Sequence, residues 1–233
     1  MLTKTTRTKL IVLIDPDKYN PEIVDIANNC NVHCFFIGGS KIKDGYFEQT
    51  IRSIKSKTKI PLIIFPGDET QISKHADGLL ILSLISGRNP DYLIGKHVLA
   101  AKKIKSSKLK TIPIGYILVN GDKISTTQKI TKTKPLSTKN EIIETAIAGE
   151  LLGKQLIYLE SGSGANSTIK NTIINAVKKQ ISIPIIIGGG INTLQKAKSI
   201  LKSNPDYIVI GNALEIRPTL LKEINTLFFN NLD

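Results

Sequence analysis

Cysteine is nearly absent. Cys30 and Cys34 are the only two thiols in 233 residues. That is too few for a disulfide framework, which excludes a small stapled secreted scaffold and points to a reducing compartment. Long apolar runs are missing too. None approaches the roughly 20 residues that span a bilayer. The run 10–14, behind a polar and basic start, is too short for a signal sequence and meets Asp15 at once. The expectation is a soluble, cytoplasmic chain. Aromatics make up only 5% and no basic run is interleaved with them, so no nucleic-acid partner is expected. Acid is in short supply: 19 Asp and Glu stand against 32 Lys and Arg, a net charge of +13. Such an excess attracts a diphosphate or an acidic membrane face. The lysines are spread among Ile and Asn, however, as on solvated helix surfaces, and from them only weak peripheral membrane association is expected.

What is present suffices for a sizeable core, since 41% of the residues are hydrophobic and a disordered chain is excluded. One plan repeats. A short β-branched apolar run ends in Gly, Asp, Ser or Glu, and an amphipathic stretch comes next. The runs lie at 10–14, 33–37, 60–65, 78–84, 111–119, 156–160, 183–187 and 206–210. They are almost continuously apolar, as strands are when both faces of a parallel sheet are covered. Helical spacing fills 21–29, 46–56, 91–104, 141–152, 168–180, 193–201 and 219–229. The link 66–77 offers only Ile72 as an anchor, so a third helix reduced to a turn is expected. Eight strands alternating with helices, and no composition break, predict an α/β chain whose residues 1–233 form a single (β/α)8 TIM-barrel domain. The polar segment 121–140 is expected to be a loop covering the catalytic face.

Three glycine-rich strand ends cluster late in the chain: Tyr158-Leu159-Glu160-Ser161-Gly162-Ser163-Gly164-Ala165, Gly188-Gly189-Gly190-Ile191 and Gly211-Asn212-Ala213. Glycine lets backbone amides approach an anion closely, and the last loops of such barrels are the usual phosphate cradle. The dinucleotide fingerprint is not met, because no third glycine and acidic residue come after Gly162 and Gly164. At the other end stands Leu13-Ile14-Asp15-Pro16-Asp17-Lys18. A carboxylate closing a buried strand needs a partner. A hard cation is one, with Ser40 at the end of the neighbouring strand in reach; capping of the next turn by Asp15 or Asp17 is equally consistent. Glu160, at the mouth of the phosphate loops, is placed to orient a substrate hydroxyl or accept its proton. Cys30, His33 and Cys34 lack a fourth ligand and read as core residues. His75 and His97 have no nucleophile beside them.

Together with Ile37-Gly38-Gly39-Ser40 and Thr133-Lys134-Pro135, these motifs occur in an order, from about Leu10 to Asn212, that resembles the geranylgeranylglyceryl phosphate synthase family. The resemblance implies a phosphate-binding barrel that joins a polyprenyl diphosphate to sn-glycerol 1-phosphate through an ether bond, releasing diphosphate. It implies Mg2+ on Asp15 and Ser40. It places the glycerol phosphate on Tyr158, Leu159, Glu160, Ser161, Gly162, Ser163, Gly164, Gly189, Gly190, Gly211 and Asn212, with Glu160 and Tyr158 as the catalytic pair. A homo-oligomer is expected as well. A heptaprenyl branch of the family carries Lys two residues before the metal Asp and a shortened Tyr-Leu-Glu-Tyr-Ser-Gly loop. Leu13 and Ser161-Gly162-Ser163-Gly164 favour the geranylgeranyl branch. The small residues Ala100 and Ala101 keep the longer donor open as an alternative. A sugar-phosphate isomerase or lyase fits the same phosphate loops, although none of the eight runs supplies an obvious Schiff-base lysine.

Overall fold

Eight parallel strands close into a barrel in strict chain order, each hydrogen-bonded to its sequence neighbours and β1 returning to β8. They are β1 (Lys9–Ile14), β2 (Val32–Ile37), β3 (Leu62–Ile64), β4 (Gly78–Leu84), β5 (Lys110–Leu118), β6 (Leu156–Glu160), β7 (Ile185–Gly188) and β8 (Tyr207–Ile210). Helices α1 (Pro21–Ala27), α2 (Tyr46–Lys57), α3 (Lys96–Ser107), α4 (Thr126–Thr131), α5 (Lys139–Leu151), α6 (Asn171–Lys178), α7 (Leu194–Leu201), α8 (Asn212–Ile216) and α9 (Leu220–Phe229) lie between and after them. This computed structural model describes residues 2–39, 42–43, 45–119 and 122–229. The closed barrel is the (β/α)8 fold that the alternating pattern predicts.

The apolar runs are continuous because alternate residues serve two cores. Ile11, Phe36, Leu80, Ile114, Tyr158 and Ile186 fill the barrel interior. Their neighbours Leu10, Val12, Phe35, Ile37, Leu79 and Ile187 pack outward against the helices. β3, β7 and β8 are shorter than their apolar runs. Pro61 and Pro184 have no amide to give the ladder, so β3 and β7 begin one residue later.

Helix starts obey capping chemistry. Asn20 caps α1 with Pro21 at its first position, and Thr138 with Glu141 forms a reciprocal box at α5. The helix expected over 91–104 opens as a π-turn, Asp91–Gly95, and then runs on to Ser107. The segment expected to be a bare loop contains α4, opened by a Ser125–Gln128 capping box, and a bridge between Val119 and Leu136. Between β3 and β4 the described chain forms turns and no helix, as the single anchor Ile72 suggests.

The bottom of the barrel is stoppered by the N-terminal segment. Leu2 is buried in the interior core. The Tyr207 hydroxyl donates to the Thr3 carbonyl at 2.8 Å and accepts from its amide at 3.0 Å. Asp206, 3% exposed, accepts from the amides of Thr5 and Ile185. Ligands are thereby directed to the opposite, C-terminal face.

Candidate active site

At that face lies a cavity of about 490 Å³ with two parts. Its mouth is built from strand ends: Asp15, Gly39, Glu160, Ser163, Gly164, Gly189, Gly190, Gly211 and Asn212 all line it. Its second part is an apolar arm between β4 and α3, lined by Ile72, Ile81, Leu82, Tyr92, Ala100 and Ile104. The missing third helix makes the arm. Ile81 sits mid-strand on the outward face of β4, where a helix would cover it, yet remains only half-buried.

Glu160 sits at the junction. It is 7% exposed, and its Oε1 accepts from the Gly162 amide at 2.9 Å. The Tyr158 hydroxyl also donates to this carboxylate. Burial raises the Glu160 pKa to about 7, against the opposing pull of those two hydrogen bonds. Burial and the Glu160 charge push the Tyr158 phenol well above its usual range, so it remains a donor. The acid has room only because glycine faces it. A Cβ at Gly188 would collide with Tyr158 Oη and stand 2.6 Å from Glu160 Oε2; one at Gly189, where φ is 80°, would collide with Glu160 Oε1. Tyr158 is stacked on Tyr116, with ring centroids 5.2 Å apart, and Phe65 leans on both.

The glycine loops supply amides. Among the described residues those of Ser163, Gly164, Gly189 and Gly190 donate to no protein acceptor, as an anion cradle requires. The loops are tied together: Ser163 Oγ donates to Asn212 Oδ1 at 2.8 Å, and Asn212 Nδ2 to Glu215 at 3.4 Å. Glu215 holds the Lys18 ammonium at 3.1 Å, and Lys18 lies 3.8 Å from Asp15 Oδ2. A polar chain thus runs from the β6 loop through β8 to β1. Burial lowers the Lys18 pKa, but bonding to Glu215 and Asp15 outweighs it and the net shift is upward.

Three residues expected to hold glycerol phosphate stand behind the wall instead of lining the cavity. Leu159 faces the outer core. The Ser161 amide and hydroxyl both turn to the Gly188 carbonyl. The Gly162 amide is taken by Glu160. Ser40 lies outside the described residues.

Asp15 serves both of the roles left open by the sequence. Its Oδ1 caps the turn Pro16–Lys18 by accepting from the Asp17 amide at 3.1 Å. Among the described residues its Oδ2 has only the Lys18 ammonium near it. Gly39 keeps the neighbouring space clear, since a Cβ there would stand 2.9 Å from Oδ1. A single available carboxylate oxygen facing a cavity fits Mg2+, which binds through one or two carboxylates plus waters and substrate phosphates. Among the described residues no three His, Cys, Asp or Glu converge as a metal group, so an all-protein cage is not what this site offers.

Of the apolar arm the sequence reading singles out Ala100 alone for its bearing on donor length. His97, Ala100 and Ile104 line it, and their i, i+3, i+7 spacing is the signal that could have found it. His97 bonds the Leu82 carbonyl at 2.9 Å, and burial holds its pKa down. The cover also participates. Thr127, Ile130 and Thr131 of the α4 segment line the cavity, and Asp122 accepts from the Asn166 amide at 3.0 Å, fastening the cover to the β6 loop.

Known proteins share this architecture. The model of the PcrB family matches residues 3–227. A geranylgeranylglyceryl phosphate synthase of Chitinophaga pinensis is 44% identical over 219 residues, covering 91% of this chain and 87% of that protein. The Pyrococcus furiosus protein of the same name is 35% identical over 211 residues, covering 88% and 83%. The crystal structure of (S)-3-O-geranylgeranylglyceryl phosphate synthase from Thermoplasma acidophilum, in complex with sn-glycerol-1-phosphate, superposes with a TM-score of 0.89 at 29% identity, covering 95% of this chain and 93% of that one.

Proposed function

This chain belongs to the PcrB family, and from that premise and the two-part cavity we propose that it is a prenyltransferase joining geranylgeranyl diphosphate to sn-glycerol 1-phosphate. One observation carries the reading: amides without a protein acceptor, a buried carboxylic acid of pKa about 7 and an apolar arm all face a single cavity. A small phosphorylated alcohol suits the first, its hydroxyl the second, and a prenyl tail the third.

In this reading the amides of Ser163, Gly164, Gly189 and Gly190 hold the glycerol phosphate, with Ser163 and Asn212 fixing the two loops against each other. Its free hydroxyl meets Glu160. The bond between the allylic carbon and the diphosphate oxygen breaks, and its electron pair leaves with the diphosphate. The glycerol oxygen forms the new bond to that carbon, and its proton passes to Glu160. A carboxylate with a pKa of about 7 is half ionised at neutral pH, which suits a general base. Holding both partners in one cavity supplies proximity. Asp15 and Ser40 would hold Mg2+, which supplies charge neutralisation for the departing diphosphate.

The donor is assigned as geranylgeranyl because Leu13, which lines the cavity, stands where the heptaprenyl branch carries lysine. A cytoplasmic homo-oligomer belongs to the same reading.

The test is mass spectrometry of the product from sn-glycerol 1-phosphate and a mixture of prenyl diphosphates, with and without EDTA. The expected product is the geranylgeranyl ether, lost on chelation. Metal-independent turnover of a sugar phosphate, with no ether formed, would sink the reading. Asp15→Asn is expected to weaken Mg2+ binding in titration calorimetry and to raise KM for the diphosphate while glycerol phosphate affinity holds. Equal loss of both affinities would make Asp15 structural only.

A further inference from the structure

Helix α3 is apolar on two sides. Ala100 and Ile104 face inward to the cavity arm. Outward, Ile94 in the π-turn before it is 62% exposed, Val98 66% and Leu99 70%. Exposed large apolar side chains are ordinary singly, but three within six residues on one turn of surface form a patch that solvent does not favour. At 3.6 residues per turn, Lys102 and Lys105 continue the same outer face. Both are exposed, and among the described residues neither has an ion-pair or hydrogen-bond partner. Helix α3 contains no acidic residue.

We propose that this outer face of α3, with Ile94, Val98 and Leu99 inserted and Lys102 and Lys105 on the headgroups, docks the protein on an anionic phospholipid bilayer. An apolar stripe with adjoining lysines is the pattern of a helix that lies in a membrane interface. The chain's net charge of +13 adds long-range attraction to such a surface. A second copy of the chain is disfavoured as the occupant, because a self-contact through this face would bring the α3 lysines together with a single acid, the exposed Asp91 of the preceding π-turn, to answer them.

The position also has a use. Because α3 runs antiparallel to β4, its first turns lie at the mouth end of the barrel. A docked bilayer would stand one helix thickness, about 10 Å, from the arm that α3 lines on its other side. This inference rests on the prenyl-transfer reading for its purpose: a donor and product with long apolar tails partition into bilayers, and docking shortens their path to the arm.

The test is vesicle co-sedimentation of the full chain on phosphatidylcholine alone and on phosphatidylcholine containing phosphatidylglycerol. The wild type is expected to bind the anionic vesicles and to be released by salt. The triple variant Ile94→Ser, Val98→Ser, Leu99→Ser is expected to lose at least about tenfold in affinity. The variant Lys102→Gln, Lys105→Gln is expected to lose roughly fivefold per lysine on anionic vesicles only. Both should melt with the wild type, since the changed side chains are exposed. Both should also turn over a short, water-soluble prenyl diphosphate at the wild-type rate, and the triple variant should fail specifically on vesicle-borne donor. Unchanged vesicle binding by the triple variant would overturn the proposal, as would absence of binding by the wild type. So would a wild-type oligomer that falls apart in the triple variant, which would make the face a subunit interface. Loss of prenyl transfer on every donor by the wild type would defeat the enzymatic reading while leaving the vesicle result intact.

Discussion

Glu160 trades stability for reactivity. Its pKa rises from 4.5 to about 7 on folding, with burial the largest cause. The raised value means that the folded state is favoured fully below about pH 4.5 and that this contribution is lost as pH rises through about 7. The loss amounts to up to about 3 kcal/mol at alkaline pH. Glu160→Gln is therefore expected to melt higher than the wild type at pH 8, by up to about 6–12 °C, with the gap closing towards pH 4. The same change should lower turnover by about a hundredfold to ten-thousandfold. A variant that melts lower at pH 8 would show that the carboxylate is not the strained group. In the wild type, kcat/KM should rise with pH through a limb near 7. Gly188 supplies a second expectation. Gly188→Ala must displace the buried Tyr158 hydroxyl, a cost of about 1–3 kcal/mol. Tyr158→Phe in the same chain should recover only part of it, because the ring Cζ and Glu160 Oε2 would still stand 2.7 and 2.6 Å from the new Cβ; a chemical-denaturation cycle would read the fraction. The sequence held the identities of this pair in its Tyr-Leu-Glu motif, but not that glycines across the strand boundary exist to seat them. That role depends on the β6–β7 register, which pairs Glu160 with Gly188.

At the level of elements, what carries the substrate chemistry is as much an absence as a presence. The segment 66–77 has one anchoring apolar residue, which is enough to predict a missing helix, and the sequence shows this plainly. The consequence of that gap is hidden from the sequence: without the helix the outward-facing Ile81 is left half-covered, and an apolar slot opens along α3. A gap has no residues of its own to read. The cover is a similar case. Its polar composition suggests a loop, yet Ser125 and Gln128 close a capping box on each other and start a short helix. Asp122 fastens this cover by accepting from the Asn166 amide and the Ser167 hydroxyl. Asp122→Ala is expected to speed hydrogen exchange at the Asn166 amide and to raise KM for glycerol phosphate several-fold with little change in kcat. Unaltered exchange there would mean that the cover is held by the packing of α4 alone.

Across the whole molecule the barrel separates its two tasks by end. Chemistry gathers where strands finish, and stability where they begin. The closed fold was legible because eight apolar runs with helical patterns between them leave few alternatives, and because residues filling the inside and outside alternate along each run. The bottom closure was not legible. Leu2, Thr3 and Thr5 look like an ordinary polar start, and their partners lie about 200 residues away in the β7–β8 region, a distance no local pattern spans. Asp206 is the centre of that closure: it holds the amides of Thr5 and Ile185 at 2.8 and 2.9 Å, and Lys4 lies 3.7 Å from it. Removing it leaves two amides without an acceptor at a site that is 3% exposed, a cost of about 2–4 kcal/mol. Asp206→Ala should then lower the melting temperature by about 4–16 °C. It should leave kcat and both KM values as in the wild type at temperatures where the variant is folded, because among the described residues none that lines the cavity bonds to it. A change in KM without loss of stability would contradict this division of the barrel, since the bottom would then be coupled to the mouth through the strands themselves.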